Sequence, residues 1–570
     1  MKSRWVLGSI GLVVSVLLIA SFVFGQSTIR IRMGAEPRYL LPNVATGTWE
    51  SAINGVLFES IVQGDNQMYP IPGVAESWEY DEDTYTWTFH LREGTTFHDG
   101  EELTAEDVVF SFKCWIHPDY PGVRFGNYKT IVGAQAYHDG ETDDFADVAV
   151  KALDPYTVQV QLDSVQATFL TYSVGSAGIL PKHVYEPYFE ENGYEKQEGV
   201  TLDLGLLVGS GPYKFVEWVA DQYVLIEKFE DYWNPRENPV ATDGQSTSAG
   251  IDKVYFVMIP DADAAFLALQ AGDIDAMELT EDQYFDADAD PQLEALLFPY
   301  LVYDYLHFNL DPEKTPLFQD VRVRRAIGYA IDRQEMIDQV LRGLGSICNG
   351  PSHPLRWDWD DAIAESHPNY DLEKTVELME AAGWTIDKEE DGTISGGGVW
   401  TKDGEMFDFE ISTNHPNPRR ADICQILQQQ LYDAGFRTTI RILDTNAFYY
   451  DYLMEGFKFQ AAVAGWRMGS DPDATSIFHS TSYPDAFNWL KYSDPEVDAL
   501  IEEGLLHVDF AERKPIYTKL ALKLVEDMPY VWLCYQDGKF GSRKDIGLKN
   551  FFPCHPQGWY QNLWQWEVEA

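Results

Sequence analysis

A strand, a tight turn and a helix follow one another within residues 84–112. Over residues 84–91 apolar and polar side chains alternate, which is typical of a strand with one buried face. Asp99 and Gly100 then supply a tight turn, because glycine tolerates the positive φ that such turns need. Thr104 can cap a helix, with Asp107 three residues later and apolar residues behind it. The segment predicts a half-buried strand followed by a helix.

Helix and strand patterns alternate along the rest of the chain. Asp320 can cap a helix whose apolar face repeats as far as Ile337 and which ends near Gly343. A similar helix is predicted from Asp371 to Gly383, and residues 387–404 are interpreted as a surface hairpin or loop. The predicted strands that alternate with these helices cover residues 254–259, 407–412 and 438–443. This alternation indicates α/β layers.

The length and the first 25 residues indicate an exported protein of several domains. The chain has 570 residues, and because single hydrophobic cores stop growing at roughly 250–300 residues we expect two or three domains. Lys2 and Arg4 precede an apolar run, and Gly25 is small enough for a cleavage site, so residues 1–25 are interpreted as a signal peptide. The alternative is an uncleaved membrane anchor. Both interpretations place the body of the protein outside the cytoplasm.

The acidic composition argues against one class of partner. The formal net charge is −51 at pH 7, and it becomes −53 when the two basic residues of segment 1–25 are removed. Such a surface repels phosphate backbones, so we expect no nucleic-acid partner.

The five cysteines are widely separated and show no spacing typical of a zinc or redox motif. They are Cys114, Cys348, Cys424, Cys534 and Cys554. Export permits disulfides, but an odd number leaves at least one thiol unpaired within a monomer.

Residues 74–112 carry the most specific pattern in the chain. They read VAESWEYDEDTYTWTFHLREGTTFHDGEELTAEDVVFSF, which resembles the signature region of the family 5 extracellular solute-binding proteins, the dipeptide and oligopeptide receptors of ABC importers. Further segments resemble the family in the same order, namely GSGPYKFVEW, DYWN and YLHFNLDPEKTPLFQDVRVRRAIGYAIDR at residues 209–218, 231–234 and 305–333. Together they cover nearly all of the chain after residue 25.

The resemblance implies an α/β fold similar to the type II periplasmic-binding proteins, with three domains and a ligand cleft between two lobes. Domain I would comprise residues 26–60, 209–302 and 541–570, domain II residues 61–208, and domain III residues 303–540. Two strands that cross between the lobes near Leu301 and Tyr535 would act as the hinge.

Residues 462–480 occupy the place where peptide receptors of this family carry a Trp and, three residues later, an Asp that pairs with the amino terminus of the ligand. Here the third residue after Trp466 is Gly469, and the next acid is Asp471. Either Asp471 takes the amine site through a shift of one or two residues, or the protein does not capture amino termini. A plain Asp-Pro turn with Pro472 is a further interpretation.

Other candidate ligand-binding residues follow from the same resemblance. Trp466 is either a core aromatic or a platform for the ligand, and Arg467 either binds a ligand carboxylate or is solvated or paired internally. The remaining candidates are Glu36, Arg38 and Tyr39 in the segment 34–43, Phe125 and Tyr128 in domain II, Asn414 and Gly469.

The predicted function is that of the substrate-binding component of an ABC importer, in the periplasm or outside the cell, that captures a short peptide and delivers it to a membrane permease. An oligosaccharide is the alternative ligand, because sugars stack on aromatic faces. A secreted glycoside hydrolase is the rival class, since 92 acidic residues offer many carboxylate pairs, but the sequence contains no recognised catalytic motif. We therefore expect a monomer with no enzyme activity, no cofactor and no metal site.

Overall fold

The computed structural model describes residues 27–569 except 43, 45–46, 66, 123, 176–177, 196–203, 235–249, 391 and 552–562. The predicted signal peptide and Cys554 lie outside the described residues. The other four cysteines are buried. In the described part of the chain, no helix is both long enough and apolar enough to cross a membrane.

Strands and helices alternate from one end of the chain to the other. The strands are β1 (Thr28–Met33), β2 (Val62–Gly64), β3 (Pro70–Pro72), β4 (Ala75–Asp81), β5 (Thr86–Leu91), β6 (Val150–Asp154), β7 (Thr157–Gln161), β8 (Tyr213–Val219), β9 (Tyr223–Lys228), β10 (Lys253–Met258), β11 (Ala276–Glu278), β12 (Leu293–Phe308), β13 (Gly345–Ile347), β14 (Thr401–Lys402), β15 (Glu405–Met406), β16 (Asp408–His415), β17 (Arg437–Asp444), β18 (Ala461–Arg467) and β19 (Tyr530–Arg543). The helices are α1 (Thr48–Leu57), α2 (Ala105–Ile116), α3 (Ala134–His138), α4 (Lys182–Asn192), α5 (Ala262–Ala271), α6 (Glu281–Ala289), α7 (Val321–Tyr329), α8 (Arg333–Val340), α9 (Asp361–Ser366), α10 (Leu372–Ala381), α11 (Pro418–Asp433), α12 (Thr475–Phe478), α13 (Pro495–Leu505) and α14 (Phe510–Asp527).

Most of the described strands join one large mixed sheet. Its order is β17-β16-β18-β12-β19-β11-β1-β10-β9-β8, and β13 pairs with β19 beside this path. A separate antiparallel sheet has the order β4-β5-β7-β6, and β2 and β3 form a hairpin. The pairs β16–β17 and β1–β10 are parallel, with helices in the connections between their strands. These features confirm the predicted α/β fold.

The predicted strand, turn and helix of residues 84–112 are confirmed. The strand is β5, and its Trp87, Phe89 and Leu91 are buried, which stabilises the fold by roughly 1.5–3 kcal/mol for each such large apolar side chain. The helix is α2, where the Asp107 carboxylate accepts a hydrogen bond of 2.9 Å from the backbone N–H of Thr104. This closes the first turn, since that N–H has no partner within the helix.

The other predicted strands are confirmed as β10, β16 and β17, and the helix predicted from Asp371 is α10. The single helix predicted from Asp320 is wrong in its length, because the chain forms α7 and α8 instead. Asp332 caps α8 by accepting a hydrogen bond of 3.0 Å from the N–H of Glu335. The apolar residues of both helices enter one core, so the periodicity alone did not reveal the break.

The long strands β12 and β19 pair antiparallel and connect the two halves of the large sheet. The pairing is irregular between Pro299 and Tyr303, where three residues of β12 lie opposite one residue of β19. Such a bulge bends a strand locally. Leu301 and Tyr535, the predicted hinge positions, lie at this bulge and are buried. Separate hydrophobic cores occupy residues 61–179 and 306–534, while the domain boundaries and the hinge itself stay predictions.

Candidate functional site

The parallel strands β16, β17 and β18 end at one edge of the large sheet. β16 pairs in parallel with β17 on one side and with β18 on the other, so their carboxyl ends lie together. β12 runs antiparallel to β18 and places Tyr303 opposite Trp466. In open α/β sheets, ligands bind outside the carboxyl ends of the strands. We call this edge, with Asn414, Trp466 and Arg467, the strand-end site.

The ring of Trp466 is half-buried at the strand-end site. Its centroid lies 5.2 Å from that of Phe487 and 5.4 Å from that of Trp489, and its indole N–H donates to the Tyr530 hydroxyl at 3.3 Å. Phe487 is 41% exposed, so this cluster presents aromatic surface to solvent. Trp466 is therefore anchored by the core and also contributes aromatic surface next to the strand ends.

A buried network of charges is hydrogen-bonded to the strand-end site through Asn414. The carboxylate of Asp304, on β12, is fully buried and accepts hydrogen bonds of 3.0 Å from each of Arg419, Arg420 and Gln536. Arg420 also donates to the side-chain oxygen of Asn414 at 2.9 Å. A buried carboxylate requires such partners, because its desolvation is costly. Asn414 is buried and fixed by this network, and its predicted contact with a ligand stays a prediction.

Three positive side chains lie at or beside the strand-end site of this strongly acidic protein. The Nε–H of Arg419 donates a hydrogen bond to Asp304. Within the described residues, the two terminal nitrogens of Arg419 have no hydrogen-bond partner. The guanidinium of Arg467 lies 5.4 Å from the centre of the Tyr300 ring. Lys539 is half-buried, and burial, helped by the charge of Arg419, lowers its pKa. Side chains of this kind bind carboxylates through charge-assisted hydrogen bonds.

Asp471 lies in the core rather than at the strand-end site. Its two carboxylate oxygens accept hydrogen bonds of 2.7 and 2.8 Å from the terminal nitrogens of Arg513, and neither side chain is exposed. Burial alone would lower the pKa of Arg513, but the charge of Asp471 outweighs it and raises that pKa. Asp471 also accepts the N–H of Asp473 in a local turn. The structure contradicts the predicted amine-anchor role, because an internal partner already holds this carboxylate.

A cavity of about 480 Å³ reaches the loop that follows β18. Its wall includes Ser470, which is four residues beyond Trp466. The wall also includes one face of α1, formed by Ser51, Asn54 and Gly55, with Phe58 directly after the helix. Ligand pockets in proteins commonly measure about 300–1,000 Å³, so the cavity can hold part of a ligand.

The carboxylate of Glu59 is buried in the wall of this cavity. It accepts hydrogen bonds of 2.7 Å from the Tyr232 hydroxyl and the Trp233 indole, and one of 2.8 Å from the Gln63 amide. Burial raises the pKa of Glu59 to about 7, although its hydrogen bonds oppose the shift. Sequence reasoning missed Glu59, because one acid among 92 carries no signal. Among the described residues, no group of three or more His, Cys, Asp or Glu side chains is arranged to hold a metal ion.

Two direct contacts join residues 61–179 to residues 306–534. The Tyr172 hydroxyl accepts the backbone N–H of Asp471 at 3.3 Å, and the carbonyl oxygen of Gln67 accepts the backbone N–H of Trp357 at 3.0 Å. A Cβ atom at Gly469 would lie 2.5 Å from the Tyr172 hydroxyl oxygen. Glycine at this position therefore allows Tyr172 to approach the loop after β18.

Comparison with known proteins identifies the family. Residues 69–489 match the model of the bacterial extracellular solute-binding proteins, family 5, middle region. The chain belongs to this family. The resemblance carried by residues 74–112 is thereby confirmed. The members of the family are solute-binding proteins that act outside the cytoplasm, and this agrees with the predicted site of action.

The similarity of this family 5 protein to its relatives extends over almost the whole chain. It is 28% identical to the oligopeptide-binding protein AppA of Bacillus subtilis, over 93% of this chain and 90% of that protein. It is 27% identical to heme-binding protein A of Haemophilus influenzae, over 90% of this chain and 87% of that protein. The structure of AppA from Bacillus subtilis in complex with a nonapeptide matches with a TM-score of 0.63 and 27% identity, over 96% of this chain and 100% of that chain.

In this family 5 protein, the candidate residues of segment 34–43 make contacts with α1 and β8. The exposed carboxylate of Glu36 accepts a hydrogen bond of 2.9 Å from the indole of Trp218. The backbone N–H of Arg38 donates to Glu50 on α1 at 2.7 Å, and the Arg38 guanidinium lies 4.9 Å from the centre of the Tyr39 ring. Their contact with a ligand stays a prediction.

The candidates in the turn after α2 are Phe125 and Tyr128, but two of their neighbours line the cavity instead. Tyr128 is fully buried and its hydroxyl donates to the carbonyl oxygen of Ser173, so the structure contradicts its predicted contact with a ligand. Phe125 is half-buried and stacks on His138 with centroids 3.6 Å apart. Their neighbours Arg124 and Asn127 line the cavity instead. Periodicity did not distinguish these four positions, because the turn is not a regular helix or strand.

Proposed function

We propose that this protein is the substrate-binding component of an ABC importer and that its ligand is a short peptide. The strand-end site carries this proposal, because it combines aromatic surface with positive side chains, and a cavity reaches the loop that follows β18. A peptide presents the matching groups, namely apolar side chains, a main chain with hydrogen-bonding groups and a terminal carboxylate. The name of AppA and its complex with a nonapeptide support the same class of ligand.

The terminal carboxylate of the peptide binds at Arg419. This guanidinium uses only Nε for Asp304 among the described residues, so its two terminal nitrogens suit a paired contact with two carboxylate oxygens. Lys539 adds a second positive charge close to Arg419. Arg467, which is exposed at the end of β18, attracts the same group from the side of the strand-end site.

The amino terminus of the peptide is not bound by Asp471, because Arg513 occupies both of its carboxylate oxygens. Affinity then depends on the main chain, the carboxylate and the burial of side chains. This arrangement accepts peptides whose amino group is blocked, provided that the carboxylate is present.

Capture ends with closure of the two lobes about the bulge in β12 and β19. Closure removes water from the site, which strengthens the remaining polar contacts. The ligand is released unchanged to a permease in the membrane, so the protein catalyses no reaction. It acts as a monomer outside the cytoplasm after loss of residues 1–25.

A thermal-shift screen tests the class of ligand on the chain that begins at residue 26. A library of short peptides, a library of oligosaccharides, and haem are each tested at the same concentration. A ligand at 100 times its dissociation constant stabilises the folded state by about 2.7 kcal/mol, so a specific ligand is readily detected. We expect stabilisation by peptides. Stabilisation by oligosaccharides or haem alone, or release of sugar from a polymer, would overturn the proposal.

A further inference from the structure

The side chain of Asn54 is buried in the cavity wall. Asn54 is 6% exposed, and among the described residues neither its amide nitrogen nor its carbonyl oxygen takes part in a hydrogen bond. It lies on the helix face that lines the cavity, since Ser51, Asn54 and Phe58 follow at intervals of three and four residues. A buried amide without partners costs folding free energy, so a bound ligand that supplies partners would recover that cost.

The charges around the cavity favour a neutral ligand group at this point. The lining contains one acid, Glu59, and one base, Arg124, among its described residues. Glu59 already accepts three hydrogen bonds, so an additional ligand amine would compete with existing donors. Asn54 offers two N–H donors and one carbonyl acceptor. An amide group of the ligand matches both, because it carries a carbonyl oxygen and an N–H side by side.

The cavity is placed so that a peptide at the strand-end site can reach it. Ser470 lies in its wall, and Trp466, four residues earlier, lies at the strand-end site. Leu170, Met68 and Phe58 supply apolar surface in the same wall. The methylene groups of a long side chain can pack on this surface while its end meets Asn54.

We propose that Asn54 recognises an amide group of the bound peptide, supplied by the side chain of a Gln or Asn residue that enters the cavity. This inference rests on the proposed peptide-binding function and adds to it a residue that determines specificity. The same amide chemistry also occurs in the peptide main chain, and the experiment below separates these two sources.

The test measures the affinity of alanine tetrapeptides that carry one Gln or one Leu at each position in turn, by calorimetry. We expect the wild-type protein to prefer Gln over Leu at one position by about tenfold, which is the effect of two hydrogen bonds in a buried site. In Asn54→Leu this preference disappears while the Leu peptide binds as before. If Asn54→Leu instead weakens all peptides equally, the amide it recognises is in the main chain.

The variant also has an expected effect on the protein without ligand. Asn54→Leu removes two buried polar atoms that lack partners, so the melting temperature of the free protein is expected to rise. Thr48→Ala, at an exposed position of α1 outside the cavity lining, is the control and keeps the Gln preference. A lower melting temperature of Asn54→Leu, or a Gln preference that survives the substitution, would overturn the inference.

Failure of this inference is distinguishable from failure of the proposed function. Equal affinity of the wild-type protein for the Gln and Leu series, with clear binding of both, overturns the role of Asn54 alone. Binding of no peptide in either series overturns both proposals.

Discussion

Asp471 and Arg513 form a doubly hydrogen-bonded ion pair, with oxygen–nitrogen distances of 2.7 and 2.8 Å, in which neither side chain is exposed. The backbone N–H of Asp471 also donates to the hydroxyl of Tyr172 at 3.3 Å. The pair therefore holds the loop after β18 in position, and through Tyr172 it connects that loop to the chain that encloses the cavity.

Asp471→Asn is expected to destabilise the fold much more than it weakens ligand binding. Removal of one partner leaves the buried Arg513 charge uncompensated, which costs about 3–5 kcal/mol of unfolding free energy. Chemical denaturation measures this loss, and calorimetry on the folded fraction measures peptide affinity. Asp473→Asn is the control, because Asp473 is half-buried and caps only the local turn at Thr475. A large loss of peptide affinity at unchanged stability would restore the amine-anchor role.

Arg419→Gln is expected to lower the affinity for peptides with a free carboxylate by about tenfold to a hundredfold, since charge-assisted hydrogen bonds contribute roughly 1.5–3 kcal/mol. Peptides with an amidated carboxyl end should bind the variant and the wild type equally. Arg441→Gln, which changes an exposed arginine on β17, is the matched control. If amidated and free peptides lose affinity to the same extent, the carboxylate does not bind at Arg419.

Glu59 should make stability fall as the pH rises. Its pKa is raised from 4.5 to about 7 in the folded protein, so between these values the folded state holds a proton that the unfolded state has lost. The resulting stabilisation is fully present below pH 4.5 and is lost as the pH rises through 7, a change of about 3 kcal/mol. Denaturation of the wild type and of Glu59→Gln across this range measures their unfolding free energies. The unfolding free energy of the wild type, relative to that of the variant, should fall as the pH rises.

Tyr232→Phe is the matched variant for the titration of Glu59. The Tyr232 hydroxyl stabilises the charged carboxylate of Glu59. Its removal should therefore raise the pKa of Glu59 and move the loss of stability to higher pH. If the unfolding free energies of the wild type and Glu59→Gln differ by the same amount from pH 4.5 to 8, the raised pKa of Glu59 is contradicted.

Gly469→Ala should strain the contact between Tyr172 and the loop after β18. The new Cβ would lie 2.5 Å from the Tyr172 hydroxyl oxygen but 3.6 Å from the ring carbon that bears it. The expected cost is about 1–3 kcal/mol of unfolding free energy, as for other overpacked sites. In a Tyr172→Phe background the same substitution should cost less than about 0.5 kcal/mol, because the clashing atom is absent. Additive effects in this double-mutant cycle would show that the two residues do not meet.

Elements whose signals lie within a few residues were predicted well. β5 and α2 follow from alternation, a turn and a capping residue, which all lie between residues 84 and 112. The break between α7 and α8 was missed, because both helices bury apolar residues in one core and the period of the pattern continues across Asp332. Capping by Asp332 decided the break, and a capping residue inside an apolar pattern gives a weak signal.

At the candidate site, sequence reasoning selected Trp466 and Arg467, but not their position at the end of β18 or the state of the charges around them. Asp471 was a reasonable anchor by spacing, and its partner Arg513 lies 42 residues further along the chain. Glu59 and Asn54 carried no signal, since the Tyr232 and Trp233 partners of Glu59 are 173 and 174 residues away. Such pairings depend on the packed core and cannot be inferred from neighbouring residues.

The sequence by itself determined the family and the α/β order of most elements, because these depend on local periodicity, capping and recognisable segments. Only the tertiary structure decided which charged and polar groups remain available to a ligand. The fold places Arg513 against Asp471 and, among the described residues, leaves the side chain of Asn54 without a hydrogen-bond partner. The physical reason is that a buried polar group is satisfied or left unsatisfied by residues from distant parts of the chain.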